Sequence, residues 1–204
     1  GVDGLLLGLV YGSLAARSGP GSALSLVLVL VCVSMLAALV SGLGIAGGIG
    51  LAIARETPQL WRAVLGGALG GVVVGGFAGL LGLDTLRLLT GNAPARIAGA
   101  GEGLAMGLAA GLAYWLATRS SPNFMLRYSW GALLGGFGGV VITFAGGTLM
   151  AGSLAALVAR FPAAGLSLAW SENPGWLALA GAFEGALFTC LLVAGLLFAG
   201  ERKI

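Results

Sequence analysis

Long uncharged apolar runs alternate along this chain with short segments that carry charges and prolines. A helix that spans a bilayer needs about 20 mostly apolar residues. When the charged residues are taken as the limits of the runs, six spanning helices are predicted. Their approximate ranges are 4–16, 23–54, 63–83, 97–118, 128–159 and 175–200. The pattern therefore predicts an all-α, polytopic transmembrane helix bundle that forms one domain over residues 1–204.

Two of these predicted spans, the second and the fifth, are longer than a single perpendicular crossing requires. A helix of that length tilts strongly in the bilayer or kinks. Glycine is a frequent site of helix kinks, and four glycines lie close together in the second span at Gly42, Gly44, Gly47 and Gly48. We therefore expect strong tilt or a kink in these spans, and a kink or a re-entrant break at these glycines would change the count of six spans.

The composition agrees with a membrane protein. Apolar residues make up 58% of the chain and charged residues only 8%, whereas a soluble domain carries about a quarter charged residues. The formal net charge of +3 comes from scattered residues, so the chain lacks the basic stripe by which nucleic-acid-binding proteins are recognised. The expected surroundings are the lipid bilayer and other membrane-protein chains or further copies of this chain, with no nucleic acid.

The chemistry of the side chains argues against catalysis. Histidine is absent and there are only two cysteines. Ser–His nucleophiles, metal-dependent hydrolases and phosphate-binding loops each need residues or motifs that this sequence lacks. We therefore predict that the protein is not an enzyme and has no catalytic residue, no cofactor and no metal site.

Glycine accounts for 39 of the 204 residues, and most of these glycines lie inside the apolar runs. Glycines four residues apart share one helix face, where a neighbouring backbone can approach closely. We predict glycine-zipper packing on such faces. The first span carries Gly4, Gly8 and Gly12, and the principal packing positions in the other spans are Gly67, Gly71, Gly75, Gly79, Gly99, Gly103, Gly107, Gly111, Gly131, Gly135 and Gly139.

Two internal alignments remain open. The segment Asp3–Gly12 resembles Glu102–Gly111, and each is followed by an Arg-Ser connector that reaches a proline. This alignment predicts a 3+3 inverted repeat, an arrangement that recurs in transporters. A competing alignment matches Glu102-Gly to Glu184-Gly. It pairs spans three and four with spans five and six and predicts parallel repeats.

Glu184 and Glu102 are the two acidic residues that lie inside predicted spans, Glu184 more deeply. A carboxyl group within a bilayer is costly and normally faces the bundle interior, so it is a functional hypothesis by default. Both are candidates for binding a proton or a cation. The structural alternative is a neutral acid that forms a hydrogen bond to a backbone carbonyl of a neighbouring helix and holds the helices in register.

The basic residues favour one orientation. Six spans place both termini on one side, with Arg55, Arg62, Arg119, Arg127, Arg202 and Lys203 on that side and Arg17, Arg87, Arg96 and Arg160 on the other. Because positive residues accumulate in the cytoplasm, we expect a multi-pass protein of a bacterial inner membrane with cytoplasmic termini.

Two functions remain open. The first is a non-catalytic membrane module, which is an anchoring or scaffolding domain or a packed subunit of a larger membrane protein or complex. The second is a small secondary transporter or channel for protons, cations or a small solute that uses Glu184 and Glu102.

Overall fold

The computed structural model describes residues 2–16, 23–54, 59–91, 97–120, 124–160 and 173–201. In these ranges all regular structure is helical, with seven α-helices and no strand. The helices are α1 (Val2–Ala16), α2 (Ala23–Ile53), α3 (Leu60–Thr90), α4 (Ala100–Arg119), α5 (Phe124–Phe144), α6 (Met150–Arg160) and α7 (Pro174–Glu201).

Three helices in the described part of the chain are long and apolar enough to cross a membrane. The qualifying segments are Val31–Ile53 in α2, Leu60–Thr85 in α3 and Pro174–Gly200 in α7. Large apolar side chains point outward from these helices, among them Leu51 with 83% of its surface exposed and Leu69 with 65%. Exposed leucines at this density suit a lipid environment, which is consistent with a membrane protein.

The most extensive helix contacts among the described residues join α3 and α4, which run antiparallel. Glycines on one helix lie directly against the backbone of glycines on the other. The facing residues are Gly67 and Gly107, Gly71 and Gly103, and Gly75 and Gly99. A methyl group added at Gly71 would overlap the carbonyl oxygen of Gly103, and the reverse substitution would overlap as well. Gly111 and Gly79 extend the same strip, against Ala63 and Gly99 respectively.

The other helix pairs meet in the same way. Where α5 runs antiparallel to α7, the facing residues are Gly131 and Cys190, Gly135 and Gly185, and Gly139 and Gly181. Between α2 and α3 they are Gly44 and Gly70, and Gly48 and Gly66. Gly4 of α1 lies against the backbone of Ser34 and Met35 in α2. Gly8 and Gly12 are buried. Small residues therefore occupy the helix contacts while large residues face outward.

Helix α4 supplies much of the interior. Ala110, Ala113 and Ala117 lie along it and are fully buried in a cluster that also contains Ile49 of α2 and Val193 of α7. Alanine has no rotamers to lose and lets helices approach almost as closely as glycine does. Small alanine side chains of α4 thus pack beside larger buried ones such as Ile49 and Val193.

Within the described residues, the second span contains no re-entrant break. Helix α2 runs without interruption from Ala23 to Ile53 and passes through all four clustered glycines. Gly44 and Gly48 are pressed against Gly70 and Gly66 of α3. The neighbouring helix therefore supports the segment in which a kink was expected.

The fifth span also differs from the prediction. Residues 128–159 do not form one long helix, because α5 ends at Phe144 and α6 begins at Met150. Gly146 adopts a left-handed φ of 75°. The Gly147 N–H donates to the Ile142 carbonyl at 2.9 Å and the Gly146 N–H to the Thr143 carbonyl at 3.1 Å. These bonds form a Schellman motif, which ends a helix at a glycine.

We expect Gly71→Ala to destabilise the bundle, because the added methyl group would overlap the Gly103 carbonyl and force α3 away from α4. Overpacking of this kind costs about 1–3 kcal/mol. Thermal unfolding in mild detergent measures the change.

Gly47→Ala is the matched control, because a methyl group at Gly47 meets no atom within 4 Å. The control should unfold at the wild-type temperature or slightly above it, since alanine favours the helix. Equal losses of stability in the two variants would contradict a packing role for Gly71.

Candidate functional site

The carboxylate of Glu184 lies inside the bundle with only 4% of its surface exposed. Helix α7 places it between Gly181 and Gly185, the two glycines at which α7 contacts α5. One carboxylate oxygen, Oε1, accepts hydrogen bonds from the Tyr11 hydroxyl and from the Ala151 N–H, the latter at 2.8 Å. The other oxygen, Oε2, accepts from the Met150 N–H at 2.8 Å. Three donors from two other helices therefore converge on Glu184.

Two of these donors belong to the first turn of α6. The first N–H groups of an α-helix have no partner within the helix. They also carry the positive end of the helix dipole, which favours a negative charge nearby. Inside an apolar bundle water is not there to bond them, so a carboxylate from another helix is well suited to the position. Glu184 thus caps α6 from α7.

Glu102 binds the same broken segment from the other side. Its Oε1 accepts from the Thr148 N–H at 3.1 Å, and its Oε2 accepts from the Gly99 N–H at 2.9 Å. Glu102 is partly buried in the first turn of α4, so it also caps its own helix. A further bond joins the two elements, from the Ala98 N–H to the Ser153 hydroxyl of α6 at 3.1 Å.

We name the residues from Ala145 to Ala151 the α5–α6 break. Glu102 and Glu184 are 82 positions apart in sequence, yet the fold brings both carboxylates to this one segment. The sequence-based hypothesis had each acid bonding to a backbone carbonyl of a neighbouring helix. The described contacts are instead with N–H and O–H donors, and both acids act as acceptors.

Tyr11 and Asp3 of α1 also belong to this interior, although neither is among the candidates predicted from the sequence. Tyr11 is buried and donates to Glu184, and Asp3 is 5% exposed. Asp3, Leu7 and Tyr11 repeat every fourth residue and are all buried, so they share one helix face. The same four-residue spacing occurs in the sequence next to Gly4, Gly8 and Gly12, and it is the feature from which the burial of Tyr11 could be predicted.

A narrow crevice runs beside Glu184. It is lined by Thr143, Gly147, Thr148, Gly152, Gly181 and Glu184, among others, and has no room for a water molecule. The Thr143 hydroxyl donates to the Gly139 carbonyl of its own helix at 3.0 Å. The Thr189 hydroxyl, five residues after Glu184 in α7, is fully buried and has no hydrogen-bond partner in the described residues.

This geometry limits what the site can bind. A carboxylate has about four acceptor sites, and donors occupy three of them on Glu184 and two on Glu102 in the described residues. Few sites therefore remain for a cation, which needs several oxygen ligands. None of the described basic residues contacts either acid, and the described residues contain no group of three or more potential metal ligands.

No protein-family model, no curated protein and no solved structure matches the chain.

We expect Glu184→Gln to weaken the cap on α6, because the amide replaces one acceptor oxygen with a donor that faces backbone N–H groups. A buried donor left without an acceptor costs about 1–3 kcal/mol. Amide hydrogen exchange at Met150 and Ala151 should therefore accelerate, and the unfolding temperature should fall.

Glu102→Gln is the matched control, since it should accelerate exchange at Gly99 and Thr148 and leave Met150 and Ala151 protected. Unchanged exchange at Met150 and Ala151 in Glu184→Gln would contradict the capping role of Glu184.

Proposed function

We propose that this chain is a non-catalytic integral membrane module, either the anchoring or scaffolding domain of a larger membrane protein or a packed subunit of a membrane complex. The proposal rests on the hydrogen bonds that the two acids make. Glu184 and Glu102 both accept hydrogen bonds from the protein's own backbone at the α5–α6 break. These polar groups therefore stabilise the fold, and few polar side chains remain to line a permeation pathway.

The proposed topology has six membrane crossings, made by α1, α2, α3, α4, α5 and α7, with α6 as a short helix that enters the bundle and leaves from the same side. The antiparallel pairs bring Arg62, Arg119 and Arg127 to one end of the bundle and Arg87 to the other. The positive-inside rule then favours cytoplasmic termini and a bacterial inner membrane. The further basic residues used for the orientation, namely Arg17, Arg55, Arg96, Arg202 and Lys203, lie outside the described residues.

Glycine-zipper packing is part of this proposal. Lipid tails give helices no hydrophobic reason to associate, so close backbone contact supplies the attraction. The contacts of α3 with α4 and of α5 with α7 support it, since in each pair two glycines four residues apart face two others.

The same five-residue pattern lies at both of these crossings. It reads Gly99-Ala-Gly-Glu-Gly103 in α4 and Gly181-Ala-Phe-Glu-Gly185 in α7. Its outer glycines face Gly75 and Gly71 in the first case, and Gly139 and Gly135 in the second. This correspondence favours the parallel repeat over the inverted one, as a proposal about how the bundle is built.

The test of the module is gentle solubilisation from the native membrane, followed by native mass spectrometry of the tagged chain. We expect the chain to withstand extraction at alkaline pH and then to migrate at a fixed stoichiometry with another membrane chain or as part of a longer polypeptide. A lone monomer that conducts ions in liposomes would contradict the proposal.

A small transporter or channel for protons, cations or a small solute is the second candidate, and one observation favours it. Transporters often place a broken helix near the bilayer midplane with its N-terminus facing the site. The first turn of α6 faces Glu184 in this way, beside the buried Tyr11 hydroxyl. A proton on Glu184 would loosen the cap on α6, which couples protonation to the position of a helix.

If the chain carries protons, Glu184→Gln should abolish proton flux into liposomes under an imposed pH gradient, because the amide cannot take up and release a proton. Glu102→Gln, at the more exposed acid, provides the comparison. Absence of wild-type flux for protons and for any tested cation would remove this candidate and leave the module.

A further inference from the structure

A group of basic and aromatic residues lies where α4 ends and α5 begins, at the opposite end of α4 from Glu102. We name this group the α4–α5 corner. Its members are Trp115, Arg119, Ser120, Arg127 and Trp130. We propose that the α4–α5 corner binds the phosphate of an anionic phospholipid headgroup. This inference rests on the proposed membrane topology, which places the corner at the cytoplasmic surface.

The two arginines are held in place by the corner itself. The guanidinium of Arg119 lies over the indole ring of Trp115, 4.7 Å from the ring centre. The Nε of Arg127 donates to the Ala117 carbonyl in the last turn of α4 at 3.3 Å. Because these two arginine side chains are already ordered, ligand binding loses less side-chain entropy.

Hydrogen bonds also order Trp130 and Ser120 of the α4–α5 corner. The Trp130 indole N–H donates to the Ser120 hydroxyl at 2.8 Å, and that hydroxyl donates to the Leu116 carbonyl at 2.8 Å. The Trp115 indole N–H is buried and has no acceptor in the described residues.

The charges favour an anion at this end. The exposed ion pair between Asp84 and Arg87 lies at the far end of α3, with 3.9 Å between nitrogen and oxygen. Arg119 is exposed, and within the described residues it has no carboxylate at ion-pair distance. Guanidinium groups bind phosphate through paired hydrogen bonds, and tryptophan is enriched at the level of lipid headgroups.

A lipid is favoured over a soluble anion because of what surrounds the arginines. Met125 is 82% exposed in the first turn of α5, beside Arg127, and Leu126 is exposed as well. Acyl chains can cover these apolar side chains while the phosphate meets the guanidinium groups. A soluble phosphate would leave them uncovered. The cytoplasmic leaflet carries the anionic lipids that such sites attract.

The test measures binding of short-chain phosphatidylglycerol to the detergent-solubilised chain by native mass spectrometry, with phosphatidylcholine of equal chain length as the neutral probe. We expect the wild type to prefer phosphatidylglycerol. Arg119→Gln and Arg127→Gln should each weaken that binding about fivefold, and the double variant roughly thirtyfold, from the usual contribution of an arginine near anionic lipid. Arg87→Gln, which removes the same charge at the other end, should bind like the wild type.

Equal weakening in Arg87→Gln would overturn the site, because it would show attraction by overall charge. The absence of any preference for phosphatidylglycerol would overturn it too, as would inorganic phosphate that competes as well as the lipid. Circular dichroism confirms that each variant is folded. A wild-type chain that fails to insert into neutral vesicles would contradict the membrane module itself, whereas loss of the lipid preference alone would overturn only the headgroup site.

Discussion

Contact between helix backbones at glycine is the constraint on which the rest of this structure depends. Where Gly71 meets Gly103, or Gly139 meets Gly181, even one methyl group would collide with a carbonyl oxygen. Helices at that separation have room for almost no polar side chain between them. Many leucine and phenylalanine side chains lie on the outside, where lipid can cover them, and the closest helix contacts consist of backbone and small side chains. The helix faces that contact one another therefore carry fewer large side chains than the faces that point outward.

In such an interior a carboxylate needs particular surroundings. Glu184 lies between two glycines that contact α5, so its side chain extends beside the crossing toward the α5–α6 break. The break supplies what the acid needs, namely backbone N–H groups with no helical partner. The acid in turn supplies an acceptor that the broken helix would otherwise lack in lipid, where an unbonded N–H group is costly. The acid and the break stabilise each other.

This mutual dependence bears on function. A carboxylate with most of its lone pairs free would suit a cation, but both oxygens of Glu184 and of Glu102 accept hydrogen bonds from the protein. Their present role is to hold α4, α6 and α7 together, with Tyr11 adding α1. The same arrangement makes the position of α6 sensitive to the charge on Glu184. The anchoring and transport hypotheses thus differ in whether that sensitivity is used.

The sequence by itself determined the helical membrane class, the small-residue faces of the helices and the two acids within the apolar runs, because each depends on composition or on spacing along one helix. Only the tertiary structure decided where the long spans break. Residues 145–149 and residues 42–48 are both uncharged and both contain paired glycines, yet the helix ends in the first segment and continues through the second. The difference lies in neighbours distant in sequence: α3 presses against Gly44 and Gly48, whereas Glu102 and Glu184 bind the N–H groups freed at the break. The sequence shows which groups can donate and accept hydrogen bonds, but not how close the fold brings them to one another.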